Sequence, residues 1–174
     1  MTNTKMNQII DTLDSDGFDQ ALQSLCQVTG HDREIRLYSV WCARQVQHLL
    51  TDQRSLYALD IAEQYANGLA TAEELSIASD AASAATSDAA SDAAKATQWV
   101  VEWNATQEVA LSAALSAASC VAASLDVRAT AGFAIGAAAG AAGAAEADQF
   151  DAADVAREAQ ELRLREVCAT QDSR

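Results

Sequence analysis

Arginine and aromatic residues cluster in one short stretch of the chain, where they could form a pocket for an anion or a nucleotide. The cluster consists of Arg33, Arg36, Tyr38, Trp41 and Arg44. Arg33 and Arg44 are eleven positions apart, almost three helical turns, so in a helix they point the same way. A guanidinium group donates paired hydrogen bonds to phosphate oxygens and stacks on aromatic rings. A ligand-binding interpretation assigns Arg33, Arg36, Trp41 and Arg44 to one site.

The same arginines could instead have a structural role. Carboxylates on the same helix or on a neighbouring one would form ion pairs with them, and the candidates are Glu34, Asp60 and Glu63. Arginine suits such a network because its guanidinium matches the geometry of a carboxylate. The sequence leaves both interpretations open.

Residues suited to catalysis are scarce. The chain has two histidines: His31 beside a helix start, where capping or exposure is expected, and His48 near a helix end, where it could bond the last carbonyls. A serine or cysteine nucleophile would need one of them as its base. The sequence contains no phosphate-binding loop, dinucleotide fingerprint, nucleophile elbow, zinc-protease motif or EF-hand. It therefore predicts a protein that is not an enzyme and holds no metal ion or cofactor.

Acidic residues dominate the charge of the chain. There are 25 acidic and 11 basic residues, for a net charge of −14. Such a chain is repelled by phosphate backbones, which argues against direct binding of nucleic acid. It favours encounter with a basic protein, although an acidic surface also simply maintains solubility. Asp80, Asp88 and Asp92, in the tract SDAASAATSDAASDAA (Ser79–Ala94), are the predicted partner-binding residues.

The composition indicates an all-α protein. Alanine accounts for 41 of the 174 residues, only 5% are aromatic, and there is no proline. Alanine is the best helix former, and its small side chain lets helices approach closely. We therefore predict one domain over residues 1–174, an Ala-rich antiparallel bundle of about six to seven helices with close small-residue packing. Residues 1–70 form its amphipathic part, and residues 71–174 form long Ala-rich helices.

Hydrophobic spacing and turn residues place the helices along the chain. Thr71 and Glu74 form a capping box that opens the helix containing the serine and aspartate tract. Asn67-Gly68 ends the helix before it. The predicted helical segments are residues 5–29 with a break at Asp14–Gly17, Asp32–Leu50, Gln53–Asn67, the region from Thr71 to about Leu125 as two helices, and Asp148 or Asp151 to Cys168.

The Ala-rich region carries further patterns. Leu111, Leu115, Ala118, Ala122 and Leu125 follow a coiled-coil-like spacing. Gly132, Gly136 and Gly140 recur every fourth residue, which would allow close helix contact, including contact between copies of the chain. The uncharged run Ala129–Ala145 has too few large apolar residues to favour insertion into a membrane. Cys26, Cys42, Cys120 and Cys168 form no CxxC pair, which favours reduced thiols in a cytoplasmic protein.

One segment, EIRLYSVWCARQVQHLLTDQRSLYALDIAEQYANGLATAEEL (Glu34–Leu75), resembles the immunity proteins of bacterial polymorphic toxin systems, in a branch that is also common in phages. The segment covers about a quarter of the chain, and QELRLREV (Gln160–Val167) resembles the closing helix of that family. The matching positions are Arg36, Leu37, Trp41, Cys42, Leu49, Arg54, Ser55, Ala62, Glu63, Tyr65, Ala66, Gly68, Glu73, Glu74 and Leu75.

The resemblance implies an all-α protein that neutralises another protein, either as an immunity protein or as a phage anti-defence protein. Together with the acidic charge, it leads to the hypothesis of a cytoplasmic inhibitor with a basic protein partner. Two alternatives stay open: a protein that sequesters a small molecule or nucleotide at the Arg/Trp cluster, and a structural helical oligomer packed through its Gly and Ala faces.

Overall fold

The fold consists of helices throughout the part of the chain that the structure describes. The computed structural model describes residues 3–96 and 149–169, with side chains within 5–88, at 91 and within 154–169. These residues contain no strand, so the predicted all-α class is confirmed there. The elements are α1 (Asn3–Asp16), α2 (Phe18–Gln27), α3 (Asp32–Gln45), a 3-10 turn (Gln47–Leu49), α4 (Gln53–Ala66), α5 (Ala72–Ala96) and α6 (Gln149–Ala169).

The helix boundaries come from local hydrogen bonds that the sequence predicts. Asp52 caps α4 by accepting a hydrogen bond from the Arg54 amide at 2.8 Å. Thr71 accepts from the Glu74 amide at 3.2 Å, and Glu74 accepts from the Thr71 amide at 2.7 Å, which confirms the capping box. Each cap satisfies amides that the first helical turn leaves without a partner.

The end of α4 is set by Gly68. Its φ of 72° lies in the left-handed region, where glycine has no steric penalty. The Leu69 amide donates to the Gln64 carbonyl at 2.8 Å, and the Gly68 amide donates to the Tyr65 carbonyl at 3.0 Å. These two bonds form a Schellman motif, which ends the helix and turns the chain toward α5.

Two sequence-based expectations about α3 were wrong. The helix ends at Gln45 rather than Leu50, because the backbone of Val46 (φ −110°, ψ 12°) leaves helical geometry and the chain tightens into a 3-10 turn. This turn still directs Val46 and Leu50 into the core. His31 was expected to cap the helix or to be exposed, but it is buried and its side chain makes no capping bond. His48 is exposed on the 3-10 turn.

Successive helices pack against each other. α1 packs on α2, α3 on α4, and α4 on α5, while α6 packs on both α1 and α3. Arg33 at the start of α3 bonds Asn67 just after α4, so the start of α3 lies beside the end of α4. The largest fully buried side chains belong to one core: Met6, Ile9, Leu25, Ile35, Tyr38, Val46, Leu59, Leu75 and Leu164.

The last helix is held by contacts with two helices from the start of the chain. The Tyr38 hydroxyl of α3 donates to the Gln160 carbonyl of α6 at 2.8 Å, in a buried environment. Leu164 and Cys168, one turn apart, are fully buried in the core. Arg165 of α6 forms an ion pair with Asp14 of α1 at 2.6 Å. These contacts bring the two ends of the sequence into one packing unit.

Several sequence-based predictions lie outside the described residues. They are the junction of two helices after α5, the leucine and alanine seam of 111–125, the turn at 126–130, the glycine repeat of 132–140, the uncharged run of 129–145, and Cys120. Among the described residues, no helix combines the length and hydropathy that crossing a membrane requires.

We expect Tyr38→Phe to lower the free energy of unfolding by about 1–2 kcal/mol, because the variant keeps its ring but loses the hydroxyl's hydrogen bonds with the Gln160 carbonyl and with Cys42. Urea denaturation followed by circular dichroism would measure the change. Tyr57→Phe is the matched control, since the Tyr57 side chain is 47% exposed and its substitution should leave the midpoint unchanged. Equal midpoints for wild type and Tyr38→Phe would contradict the role of this bond in docking α6.

Candidate functional site

The basic face of α3 points toward α4. The Arg44 Nη2 atom donates to Asp60 at 2.9 Å and to Glu63 at 2.6 Å. Partial burial lowers the pKa of the Arg44 guanidinium, but hydrogen bonds to the two carboxylates outweigh it, and the net pKa is raised. This arginine therefore already has two anionic partners, as the structural interpretation of the cluster expects.

Arg33 and Arg36 also contact the end of α4, by different means. Arg33 donates to the Asn67 side chain at 2.8 Å and is half exposed. Arg36 is only 2% exposed and lies over the Tyr65 ring, 5.2 Å from its centroid. Burial lowers the pKa of Arg36, while Tyr65 and Asp32 act in the raising direction. Arg36 is thus part of the α3–α4 interface.

The aromatic residues of the cluster face a different helix. The Trp41 ring is covered by the Arg163 guanidinium of α6, 6.0 Å from the ring centroid. Tyr38 is buried against α6, and burial raises the pKa of its hydroxyl. The structure therefore does not bring the five residues of the cluster into one pocket. The arginines line the α3–α4 interface, and the aromatic side chains line the α3–α6 interface.

The three aspartates of the predicted partner-binding tract lie on α5 and differ in their surroundings. Asp80 is exposed and makes no hydrogen bond or ion pair with the described part of the chain. Asp88 is also exposed, but it accepts from the Arg54 Nη2 atom at 2.8 Å. Asp92 lies on α5, and its side chain is outside the described residues. Asp80 is thus the aspartate shown to be both exposed and without a cationic partner.

Arg54 is a residue whose importance the sequence did not reveal. Besides Asp88, it binds Asp52 through both its Nε and Nη2 atoms, at 2.7–3.2 Å. The hydrogen bonds to Asp52 and Asp88 raise the pKa of Arg54, and those from Arg54 lower the pKa of Asp52. The capping of α4 by Asp52 could be predicted, but the contact with Asp88, 34 residues away, depends on how α5 packs on α4.

Ile77 is a second residue whose importance the sequence did not reveal, and its side chain is 59% exposed. The buried side of α5 carries Leu75, Ala78, Ser79, Ala82 and Ala85. Ile77 follows Leu75 by two positions, which is about 200° around the helix axis, so it lies on the opposite side. Glu73 and Asp80, at positions i−4 and i+3 from Ile77, are its neighbours on the helix surface and are exposed. We call the surface of Glu73, Ile77 and Asp80 the outer face of α5. A helical-wheel reading of residues 72–85 could have identified it.

An open cleft of about 490 Å³ lies elsewhere, between α1 and α2. Its polar lining consists mainly of hydroxyl and amide side chains, with one cation, Lys5, and one anion, Asp11. None of the predicted site residues lines this cleft. The residues proposed for ligand binding therefore do not coincide with it.

Cys42 and Cys168 lack the features of an activated nucleophile. Cys26, Cys42 and Cys168 form no disulfide. Burial raises the pKa of Cys42 to about 12, against the lowering effect of a hydrogen bond with Tyr38, and raises the pKa of Cys168 to about 11. A reactive cysteine needs a lowered pKa and access to solvent. Within the described residues, no group of three or more His, Cys, Asp or Glu side chains could hold a metal ion.

Comparisons with protein-family models, with curated proteins and with solved structures gave no match.

We expect ATP at millimolar concentration to change the melting temperature by less than about 1 °C, because the arginines of the cluster are engaged in the α3–α4 interface. A thermal-shift titration would measure this, with sodium sulfate of equal ionic strength as the control. A saturable increase of several degrees with ATP, absent with sulfate, would contradict the structural interpretation of the cluster.

We expect iodoacetamide at pH 8 to modify Cys42 and Cys168 at least about a hundredfold more slowly in the native protein than in urea. Their raised pKa values keep both thiols protonated at this pH, and burial blocks the reagent. Mass spectrometry of proteolytic peptides would give each rate separately. Equal rates in the native and unfolded protein would contradict the burial of these thiols.

Proposed function

We propose that this chain is a non-enzymatic inhibitor, which binds a basic protein partner through the outer face of α5 and works in the cytoplasm without a cofactor. The observation that carries the proposal is the presence of two exposed acidic side chains, Glu73 and Asp80, that have no cationic partner in the described chain. No lysine, arginine or histidine occurs between Ala72 and Ala94. The negative charge of Glu73 and Asp80 is therefore available to another molecule.

Long-range electrostatics supports a partner of opposite charge. A net charge of −14 accelerates encounter with a basic protein and disfavours acidic ones. Charges exposed to solvent are screened over a Debye length of about 8 Å at physiological ionic strength. The rate of association should therefore depend strongly on salt.

The resemblance of Glu34–Leu75 to immunity proteins supports an inhibitory role for this binding. On this basis the partner is a bacterial toxin or, for a phage protein, an effector of host defence. Three of the resembling positions, Glu73, Glu74 and Leu75, lie in the first turn of α5. Glu73 is the member of this group that belongs to the outer face, so the resemblance and the proposed surface overlap there.

We expect Asp80→Lys to weaken capture of the partner, because it replaces an unpaired anion of the proposed surface with a cation. The protein would be immobilised and exposed to a lysate of cells that carry its gene, and the retained proteins quantified by mass spectrometry. Asp154→Lys is the matched control, since Asp154 is exposed on α6 and the substitution changes the net charge equally.

The supporting result is a basic protein that wild type and Asp154→Lys retain, that Asp80→Lys loses by about tenfold, and that elutes with added salt. Equal retention by all three proteins, or loss with both variants, would contradict a specific role for α5.

A further inference from the structure

The exposed acids of α5 are not equivalent along the helix. Asp88 is bound by Arg54 at 2.8 Å, and the same guanidinium also binds Asp52 at 2.7 Å. Asp88 is therefore already partly neutralised, and a partner's cation would gain less from pairing with it than from pairing with an acid that has no cation beside it. Glu73 and Asp80 form no ion pair with the described residues, so their full charge can attract a partner's cation. Among the described side chains of α5, the acids without a cationic partner therefore lie in its N-terminal half.

An aliphatic side chain lies between these two acids. Ile77 is 59% exposed and sits one helical turn after Glu73 and nearly one turn before Asp80. Packing of α5 does not require it, because the buried side of the helix carries Leu75, Ala78 and Ala82. Covering Ile77 would remove apolar surface from water, which is favourable in association as it is in folding.

We propose that the outer face of α5 binds a basic amphipathic segment of the partner, with an apolar residue that packs on Ile77 and lysine or arginine residues that pair with Glu73 and Asp80. The occupant follows from charge complementarity, because this face carries anions and an aliphatic side chain but no cation. The inference rests on the proposed function and adds the anchor residue and the chemistry of the partner segment. In this arrangement Arg54 reduces the negative charge that Asp88 presents to the partner.

The experiment uses the full chain and two fluorescent peptides of equal length and charge. One is an amphipathic Lys/Leu peptide, and the other has glutamine in place of each leucine. Fluorescence anisotropy measures the Kd of each peptide for wild type, Ile77→Ser and Val155→Ser. Val155 is the matched control, an aliphatic residue on α6 that is 65% exposed.

We expect wild type to bind the Lys/Leu peptide about tenfold more tightly than the Lys/Gln peptide, because burial of Ile77 contributes only to the former. Ile77→Ser should lose this preference, and Val155→Ser should keep it. Asp80→Asn should weaken the binding of both peptides, whereas Asp88→Asn should change both Kd values less, since Arg54 already neutralises part of the Asp88 charge. Circular dichroism would verify that each variant is folded.

Equal binding of the two peptides by wild type would overturn the inference, as would absence of binding by either peptide. A preference that survives Ile77→Ser, or that Val155→Ser also abolishes, would overturn it too. If both peptides bind equally and Asp80→Asn weakens the binding of both, Ile77 is not an anchor residue, but an acidic binding face on α5 is still supported. The proposed function fails separately, when Asp80→Lys and wild type capture the same proteins from lysate.

Discussion

The hydrogen bond from the Tyr38 hydroxyl to the Gln160 carbonyl joins α3 to α6 through two residues that are 122 positions apart in the sequence. A buried hydroxyl without a partner is costly, and the Gln160 carbonyl of α6 accepts the hydrogen bond that the Tyr38 hydroxyl donates in the core. Once α6 is docked, Leu164 and Cys168 fill the core, and Arg165 reaches Asp14 of α1. The position of α3 between α4 and α6 then determines which of its residues can reach solvent.

This central position explains why the Arg/Trp cluster is not a single pocket. A helix that is covered on two sides distributes its polar residues between two neighbours. Arg33, Arg36 and Arg44 contact α4, and Trp41 is covered by Arg163 of α6. The sequence correctly predicted that these residues lie on one helix. It could not show that two different helices would pack against them.

The distribution of cations has a consequence for α5. In a chain with 11 basic and 25 acidic residues, there are too few cations to give each carboxylate a partner of its own. Three of the described arginines form ion pairs between helices: Arg44 with α4, Arg54 with α5 and Arg165 with α1. These contacts leave Glu73 and Asp80 uncompensated on the outer face of α5. The acidity of that face is therefore a result of where the helices place the few cations. Surface ion pairs contribute little stability individually, so their main effect here is on the charge that a partner meets.

The sequence by itself determined the all-α class, the break at Gly17, the capping box of Thr71 and Glu74, and the helical state of the serine and aspartate tract. These features depend on residues within one or two turns of each other, so their physical causes are visible in a short stretch of sequence. Only the tertiary structure decided that Asp88 binds Arg54 while Asp80 has no cationic partner among the described residues. Those outcomes depend on which faces of α4, α5 and α6 are buried. Burial is set by the packing of all the helices together, and local spacing does not contain that information.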